Sequence, residues 1–209
     1  MQFKTIGPKL QTLLETHSNW IFSQKDYLEL PDSPCLIKDH GLTIQSACSD
    51  EYLAEVQAKG RDHKGVPEIA TATSFQHDMN VPANYREESK RINKELIDYL
   101  GAKFSAVHVF YKPEAFMSWH CNWDCPGYNI LLNYNEGDGF FRYQDPITKE
   151  VINMPDPKGW SCKVGYYGSH EEEDSIYWHT AGTYSPRITF GFVIPHKEMW
   201  EMMVEDIAD

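Results

Sequence analysis

Seven short β-rich runs follow one another between residues 104 and 194, and they constrain the fold more than any other feature of the sequence. Turn-forming residues separate the runs, among them Lys112-Pro113 and Pro126-Gly127. Many short strands with turns between them predict a β-barrel or a β-sandwich. Several runs are apolar on both faces, as expected where helices cover the outside of a barrel. The runs are 104–111, 115–121, 128–134, 139–143, 161–167, 175–180 and 187–194.

Helical patterns come before these runs. The clearest spans 85–100, where Ile92, Leu96 and Leu100 recur at a spacing of four and Gly101 follows as a stop signal. Apolar residues at helical spacing also predict a short helix over 8–17.

The stretch between these two helices is rich in Pro, Asp, Ser and Gly; it predicts one further helix at 49–58 and a charged loop at 61–65. The whole chain has a length that suits one domain with a single core. We therefore expect a helical and irregular portion, a β-barrel core with the helices packed outside it, and a C-terminal tail. These three portions of the single domain 1–209 are 1–103, 104–195 and 196–209.

Charge and cysteine content narrow the function classes. The formal net charge is −12 and the isoelectric point is about 5.1. An acidic surface repels phosphate backbones, so long nucleic acids and anionic membranes are disfavoured as partners.

The five cysteines are odd in number and irregularly spaced, which argues against a disulfide framework. No apolar stretch is long enough to span a bilayer and the N-terminus lacks the features of a signal peptide, so we expect a cytoplasmic protein.

Two histidines are the candidate metal ligands. His120 ends one strand-like run, and His179 ends a short aromatic run 59 positions later. Imidazole is a standard ligand for iron, zinc, copper and nickel. Two histidines from strands so far apart in sequence are expected to meet only if the sheet curls on itself, as it does in a barrel. The alternative is that each histidine is a packed polar residue beside a tryptophan.

Arg187 is the candidate anion-binding residue. It lies two positions before Thr189, so both side chains share one face of a strand. Arginine on an otherwise apolar strand is unfavourable unless a partner satisfies it, and its planar fork matches a carboxylate. The alternative is an internal ion pair between Arg187 and an Asp or Glu.

The order of these residues resembles the iron- and 2-oxoglutarate-dependent oxygenases. That family places one histidine on an early barrel strand and a second late, followed about ten residues on by Arg-x-Ser/Thr. VFYKPEAFMSWH (109–120) is similar to the Tyr-x-Pro-Gly-…-His run of prolyl hydroxylases and DNA-alkylation-repair oxygenases. The wider pattern over about half of the chain, 104–194, also resembles uncharacterised phage-encoded oxygenase-like proteins.

The resemblance implies a double-stranded β-helix, a jelly-roll or cupin-like barrel. Fe(II) would bind His120 and His179, and the far carboxylate of 2-oxoglutarate would meet Arg187, assisted by Thr189 and Tyr111. The expected reaction couples decarboxylation of 2-oxoglutarate to oxidation by O2 of a small molecule or a side chain, most simply a hydroxylation. The alternatives are a halogenase-like enzyme, or an inactive barrel that binds a ligand or a protein partner.

The third metal ligand departs from the family pattern. The family reads His-x-Asp or His-x-Glu, whereas this sequence reads His120-Cys121-Asn122. Asn122 is in the right position but is neutral, and Asp124 has the charge but lies farther along the chain. The third possibility is that neither binds and the position takes water or a halide, as in the related halogenases. A zinc site built from His120 and nearby cysteines is disfavoured, since neighbours on a strand point to opposite faces.

Aromatic residues crowd the two histidine segments. They could wall a substrate pocket or belong to the ordinary barrel core, and Trp123 is the best pocket candidate because it lies between the possible ligands. The acidic run Glu171–Asp174 is expected to be a solvated loop, or a surface that attracts a cationic substrate or protein segment. The aromatic residues concerned are Trp119, Trp123, Trp160, Trp178, Tyr128 and Tyr177.

Overall fold

The computed structural model describes residues 1–33, 41–59, 67–102 and 105–208, which form ten strands and five α-helices. The predicted charged loop at 61–65 and the first residue of the predicted run 104–111 lie outside the described residues. The strands are β1 (Gln2–Lys4), β2 (Thr73–Ser74), β3 (Val107–Tyr111), β4 (Phe116–His120), β5 (Gly127–Asn135), β6 (Gly139–Gln144), β7 (Val151–Pro155), β8 (Gly159–Tyr167), β9 (His179–Thr183) and β10 (Arg187–Ile194). The helices are α1 (Pro8–Ser23), α2 (Ile44–Ala47), α3 (Asp50–Ala58), α4 (Ala83–Leu100) and α5 (Lys197–Ala208).

The helices begin and end for local reasons. Pro8 opens α1 at a position where the missing N–H would have no helical partner. Helix α4 ends because Gly101 adopts a left-handed conformation with φ of 65°, and its N–H donates to the carbonyl of Ile97. The C-terminal segment, described from the sequence only as a tail, contains helix α5.

The strands form two antiparallel sheets. One has six strands in the order β1-β8-β5-β10-β3-β2, and the other has four in the order β4-β9-β6-β7. The expectation of a mainly β core with flanking helices is therefore confirmed. Each predicted run overlaps a strand, but β9 begins at His179 rather than ending near it, since continuous pairing with β4 and β6 starts only there. The short strands β1, β2 and β7 were not predicted.

Three helices cover the outer face of the six-stranded sheet. Ile188, Phe190 and Phe192 point to this side of β10 and are completely buried. They pack with apolar residues of α1, α4 and α5 in one large cluster. Burying each such side chain stabilises the fold by roughly 1.5–3 kcal/mol. The alternation of β10 thus leaves Arg187 and Thr189 on the inner face, towards the four-stranded sheet.

The four-stranded sheet has its own cover. Its outer face packs under α2 and α3 in a cluster that we call the outer cluster. Between the two sheets lies a second set of buried side chains, the inner aromatic cluster, which contains residues of both sheets. The outer cluster contains Ile44, Ala47, Cys48, Tyr52, Leu53, Val56, Ile69, Phe116, Trp119, Cys121 and Trp178. The inner aromatic cluster contains Phe141, Tyr143, Tyr167, Tyr177 and Ala181.

A buried histidine pair ties α1 and α4 to the six-stranded sheet. The Nε2 atoms of His17 and His108 lie 3.2 Å apart. His17 Nδ1 lies 2.9 Å from a Glu88 carboxylate oxygen, and His108 Nδ1 lies 2.7 Å from the Ser89 hydroxyl. A consistent set of donors runs from Ser89 through His108 and His17 to Glu88, with both imidazoles neutral. Burial lowers the pKa of both histidines, most strongly that of His108.

Candidate metal and anion site

His120 and His179 meet between the sheets. They lie opposite each other on the adjacent strands β4 and β9. Their ring centroids are 4.1 Å apart with the ring planes tilted by 53°. Both residues are buried. The sequence prediction that two imidazoles distant along the chain come together is therefore met in the structure.

A β-bulge aims His120 inwards. Met117 pairs with Ala181 and His120 pairs with His179, so three steps on β4 oppose two steps on β9. One extra residue reverses the alternation of side chains beyond it. Trp119 accordingly points to the outer cluster, where its indole N–H donates to the Ser49 carbonyl at 2.8 Å. Without the extra residue, His120 would turn outwards and Trp119 inwards.

Backbone carbonyls fix how both imidazoles present their nitrogens. The Nδ1 atom of His120 lies 2.8 Å from the Ser118 carbonyl oxygen, and that of His179 lies 2.9 Å from the Tyr177 carbonyl oxygen. A carbonyl can only accept, so Nδ1 carries the proton and Nε2 carries the lone pair in each neutral ring. Burial lowers the pKa of His179 to about 4, against a smaller raising effect of the bond to Tyr177. Both features suit metal ligation.

Among the described residues, no carboxylate lies with the two histidines as a third metal ligand. Asp124 is 43 % exposed, and its Oδ1 atom lies 3.2 Å from His170 Nδ1. Asn122 is buried just after β4, and its carbonyl accepts from the N–H of Cys125 at 2.6 Å. Within the described ranges, no three His, Cys, Asp or Glu residues are grouped so that they could hold a metal ion. Asp124 therefore does not join the two histidines in this arrangement.

Most of the aromatic residues near the histidines belong to the packing outside the sheets. Trp123 adopts a positive φ of 34° and stacks on the His170 ring at 4.6 Å, next to the outer cluster. Trp160 joins the cluster under α1, and Tyr128 packs on Trp200. Of the six aromatic residues singled out from the sequence, Tyr177 is the one that lies in the inner aromatic cluster.

Arg187 opens β10 and is buried together with two partners. Its Nε donates to Asp156 at 2.9 Å, and one terminal nitrogen, Nη2, donates to the Asn133 side-chain oxygen at 3.0 Å. Thr189 donates to the same oxygen at 3.0 Å. The internal Arg–Asp pair that the sequence left open as an alternative is thus present. The other terminal nitrogen, Nη1, has no hydrogen-bond partner among the described residues.

A second buried cation shares Asp156. Lys163 bonds to the other carboxylate oxygen of Asp156, and both side chains are fully buried. Although burial works to raise it, the charges of Arg187 and Lys163 hold the pKa of Asp156 below its usual value. Burial lowers the pKa of Lys163 from its usual value, while the charge of Asp156 works to raise it. In the protonated form of Lys163 that pairs with Asp156, two cations meet one anion, and the three residues together carry one surplus positive charge. Burying a surplus charge is unfavourable unless an anion arrives to neutralise it.

Tyr111 connects this cluster to the histidine strand. Its ring centroid lies 4.9 Å from the Arg187 guanidinium carbon. Its hydroxyl lies 3.9 Å from the sulfur of Met117, one inward-facing position before His120 on β4. Asn133 also keeps a buried Nδ2 donor that has no partner among the described residues. The predicted residues Tyr111, Arg187 and Thr189 are thus gathered on one side of the histidine pair.

Three residues of this cluster were not predicted from the sequence. Lys163 carried a usable signal, since it is a charged residue within the apolar run 161–167, as Arg187 is in its own strand. Asn133 lies on the same face of β5 as Asn135 and Asn129. Asp156 lies between two prolines, a pattern that predicted a turn.

No protein-family model matches the sequence, and no curated protein matches it significantly. Across the helices that the structure describes, none combines the length and the apolar character needed to cross a bilayer.

Proposed function

We propose that the protein is an Fe(II)- and 2-oxoglutarate-dependent oxygenase that oxidises a small molecule or a side chain, most simply by hydroxylation. The observation that carries the proposal is the pair of imidazoles, His120 and His179, whose ring centroids lie 4.1 Å apart between the sheets. The double-stranded β-helix is part of the proposal. It is supported by the way the chain alternates between the two sheets, with β3, β5, β8 and β10 adjacent in one and β4, β6, β7 and β9 forming the other.

The residues fit the proposed metal and cosubstrate. The Nε2 lone pairs of His120 and His179 would hold Fe(II), which when bound would supply the site that activates O2. The unpartnered guanidinium nitrogen of Arg187 and the surplus positive charge it shares with Lys163 would receive the far carboxylate of 2-oxoglutarate. Thr189 and Tyr111 would flank that carboxylate.

The chain's own residues would bind and shield the reactants. Asp156 holds the Arg187 fork in place through Nε, so the free nitrogen is presented in a fixed direction. The inner aromatic cluster excludes water from the side of His179, because Phe141, Tyr167 and Tyr177 all lie within 6.0 Å of its ring, measured between centroids. We place the protein in the cytoplasm, where cysteines stay reduced.

The test is an anaerobic titration with Fe(II) and 2-oxoglutarate. We expect a weak visible charge-transfer band that His179→Ala abolishes and that Arg187→Lys weakens, because lysine keeps the charge but loses the planar fork. His77→Ala, at an exposed position, is the matched control and should leave the band unchanged. Succinate release in air, measured with metabolite and peptide panels, then identifies the substrate. A protein with no band, or one whose band survives His179→Ala, would contradict the proposal.

A halogenase-like activity is the second candidate. It is favoured by the place of Asp124, which is half-exposed and paired with His170, and by the neutral side chain of Asn122. Halogenases of this family replace the carboxylate ligand by a small residue, so that a halide can take its place at the metal. A band that shifts with added chloride or bromide would support this candidate, and a band that is insensitive to halide would support the hydroxylase.

A further inference from the structure

Two buried tyrosine hydroxyls remain without a partner. Tyr167 and Tyr177 are 2 % and 3 % exposed, and neither hydroxyl oxygen has a hydrogen-bond partner among the described residues. Native proteins rarely leave a buried hydroxyl unpaired, because the group loses its bonds to water without replacing them. Each such group calls for a missing partner.

Both hydroxyl-bearing rings lie beside the histidine pair. The Tyr177 ring is stacked between those of Tyr143 and Tyr167, at centroid distances of 4.9 and 4.5 Å. The Tyr167 ring lies 4.7 Å from the His179 ring, across the space between the sheets. The two tyrosines therefore form one wall next to the proposed metal position.

This wall is separate from the anion cluster. Lys163 and Tyr167 both face inwards on β8 and lie four residues apart, which corresponds to about 13 Å along a strand. Their side chains also have different neighbours, since Lys163 bonds to Asp156 whereas the Tyr167 ring stacks on Tyr177 and lies beside His179. A carboxylate of 2-oxoglutarate that meets Arg187 would therefore leave the Tyr167 and Tyr177 hydroxyls for another group.

The chemistry of the wall indicates what that group is. A phenol has a pKa of about 10, so both hydroxyls are protonated donors at neutral pH. The neighbouring surfaces are the aromatic faces of Phe141 and Tyr143, whose electron-rich character disfavours a bare anion. A neutral carbonyl oxygen has two lone pairs and can accept from both hydroxyls. Its planar amide group also suits contact with aromatic rings.

We propose that Tyr167 and Tyr177 donate hydrogen bonds to the carbonyl oxygen of an amide-type substrate that binds beside His179. The proposal rests on the proposed function for its role, since it names the class of the second substrate, but the binding itself does not require the metal. The same donors could instead bind oxygen atoms at the metal-facing end of 2-oxoglutarate. The experiment distinguishes these two possible acceptors, the substrate carbonyl and the cosubstrate.

The experiment measures binding of benzamide to the full chain without added metal, using the tyrosine ring signals in NMR. Toluene is the matched ligand without a carbonyl. Tyr167→Phe and Tyr177→Phe each remove one hydroxyl and keep the stacked ring, while Tyr143→Phe changes the third ring of the same stack. We expect each of the first two variants to weaken benzamide binding by roughly three- to tenfold, with toluene unaffected. Tyr143→Phe should leave both ligands unaffected.

Two further measurements complete the test. The melting temperatures of Tyr167→Phe and Tyr177→Phe without ligand should stay equal to wild type or rise, because each variant removes an unpaired buried hydroxyl. The anaerobic Fe(II) titration should show an unchanged affinity for 2-oxoglutarate. If 2-oxoglutarate fails to bind while the benzamide pattern holds, the proposed function is wrong and the carbonyl site stands.

Several results would overturn the proposal. One is that benzamide does not bind the wild-type protein, or binds the wild type and both variants with equal affinity. Another is a clear fall in melting temperature, which would mean that the hydroxyls are satisfied within the fold. A loss of 2-oxoglutarate affinity in Tyr167→Phe or Tyr177→Phe would assign the hydroxyls to the cosubstrate instead.

Discussion

Replacing Asp156 by asparagine should destabilise the protein severely. The carboxylate is fully buried and is the shared partner of two buried cations, Arg187 and Lys163. The substitution preserves shape but removes the negative charge, which leaves two positive charges enclosed together. Removing one partner of a buried ion pair costs about 3–5 kcal/mol, because the remaining charge is left uncompensated. Here two cations lose the same partner, so we expect a loss near the upper end of that range. Release of the Lys163 proton limits the loss, because burial already lowers the pKa of that side chain.

The size of this loss can be compared with the total free energy of unfolding. A domain of this kind unfolds with a free energy of about 5–15 kcal/mol, so Asp156→Asn would remove a large share of it. The effect should depend on pH with a defined sign. The folded-state pKa of Asp156 is lowered from its usual 3.8, so its contribution is complete above that value and is lost as pH falls through the folded-state pKa. Wild type and variant should therefore converge in strong acid.

A second substitution tests whether charge is the cause. Lys163→Met added to Asp156→Asn returns the cluster to one positive charge, the same surplus as in wild type. We expect the double variant to recover roughly 2 kcal/mol or more, because each unpaired buried ion costs several kcal/mol. Urea unfolding at pH 7 measures all variants, with the exposed Asp98→Asn as control. The reasoning fails if Asp156→Asn costs under about 1 kcal/mol, or if Lys163→Met worsens it.

Three further outcomes are expected. Stability should fall as pH drops below about 6.5, the unfolded-state pKa of histidine, because burial lowers the folded-state pKa of His17, His108 and His179. The slope reaches at most about 1.4 kcal/mol per pH unit for each histidine, and His108→Gln should reduce the total slope in urea titrations by removing one of the three. Gly101→Ala should cost about 1 kcal/mol from its positive φ alone, measured by thermal unfolding, since nothing lies within 4 Å of the added methyl group. Asn122→Asp should tighten Fe(II) binding by roughly tenfold or more by supplying a carboxylate, whereas Asp124→Ala should leave it unchanged; the reverse pattern would make Asp124 the ligand.

Local patterns in the sequence were enough to predict most of the strands and the helices α1, α3 and α4. The alternation of β10 placed Ile188, Phe190 and Phe192 on one face and Arg187 with Thr189 on the other, and this division is the one observed. Strand β7 escaped prediction because it is short and half-exposed, so its side chains carry little apolar signal. The pairing order of the strands depends on contacts between distant segments, which periodicity does not encode.

The candidate site was predictable where a residue violated its local pattern. Arg187 stood out as a charge in an apolar strand, and the same argument applied to Lys163 would have found the second cation. Asp156 could not be found this way, because an acidic residue between prolines is ordinary in a turn. Its role arises only when the chain folds and brings it to two cations from other strands.

The bulge in β4 has a consequence for inheritance. Because side chains alternate along a strand, one residue more or less between Met117 and His120 exchanges an imidazole for an indole at the inner surface. A single codon gained or lost there would thus abolish the pair formed with His179 while leaving every histidine in the gene. A descendant of this chain could retain both histidines and the arginine and still be unable to bring two rings to one ion.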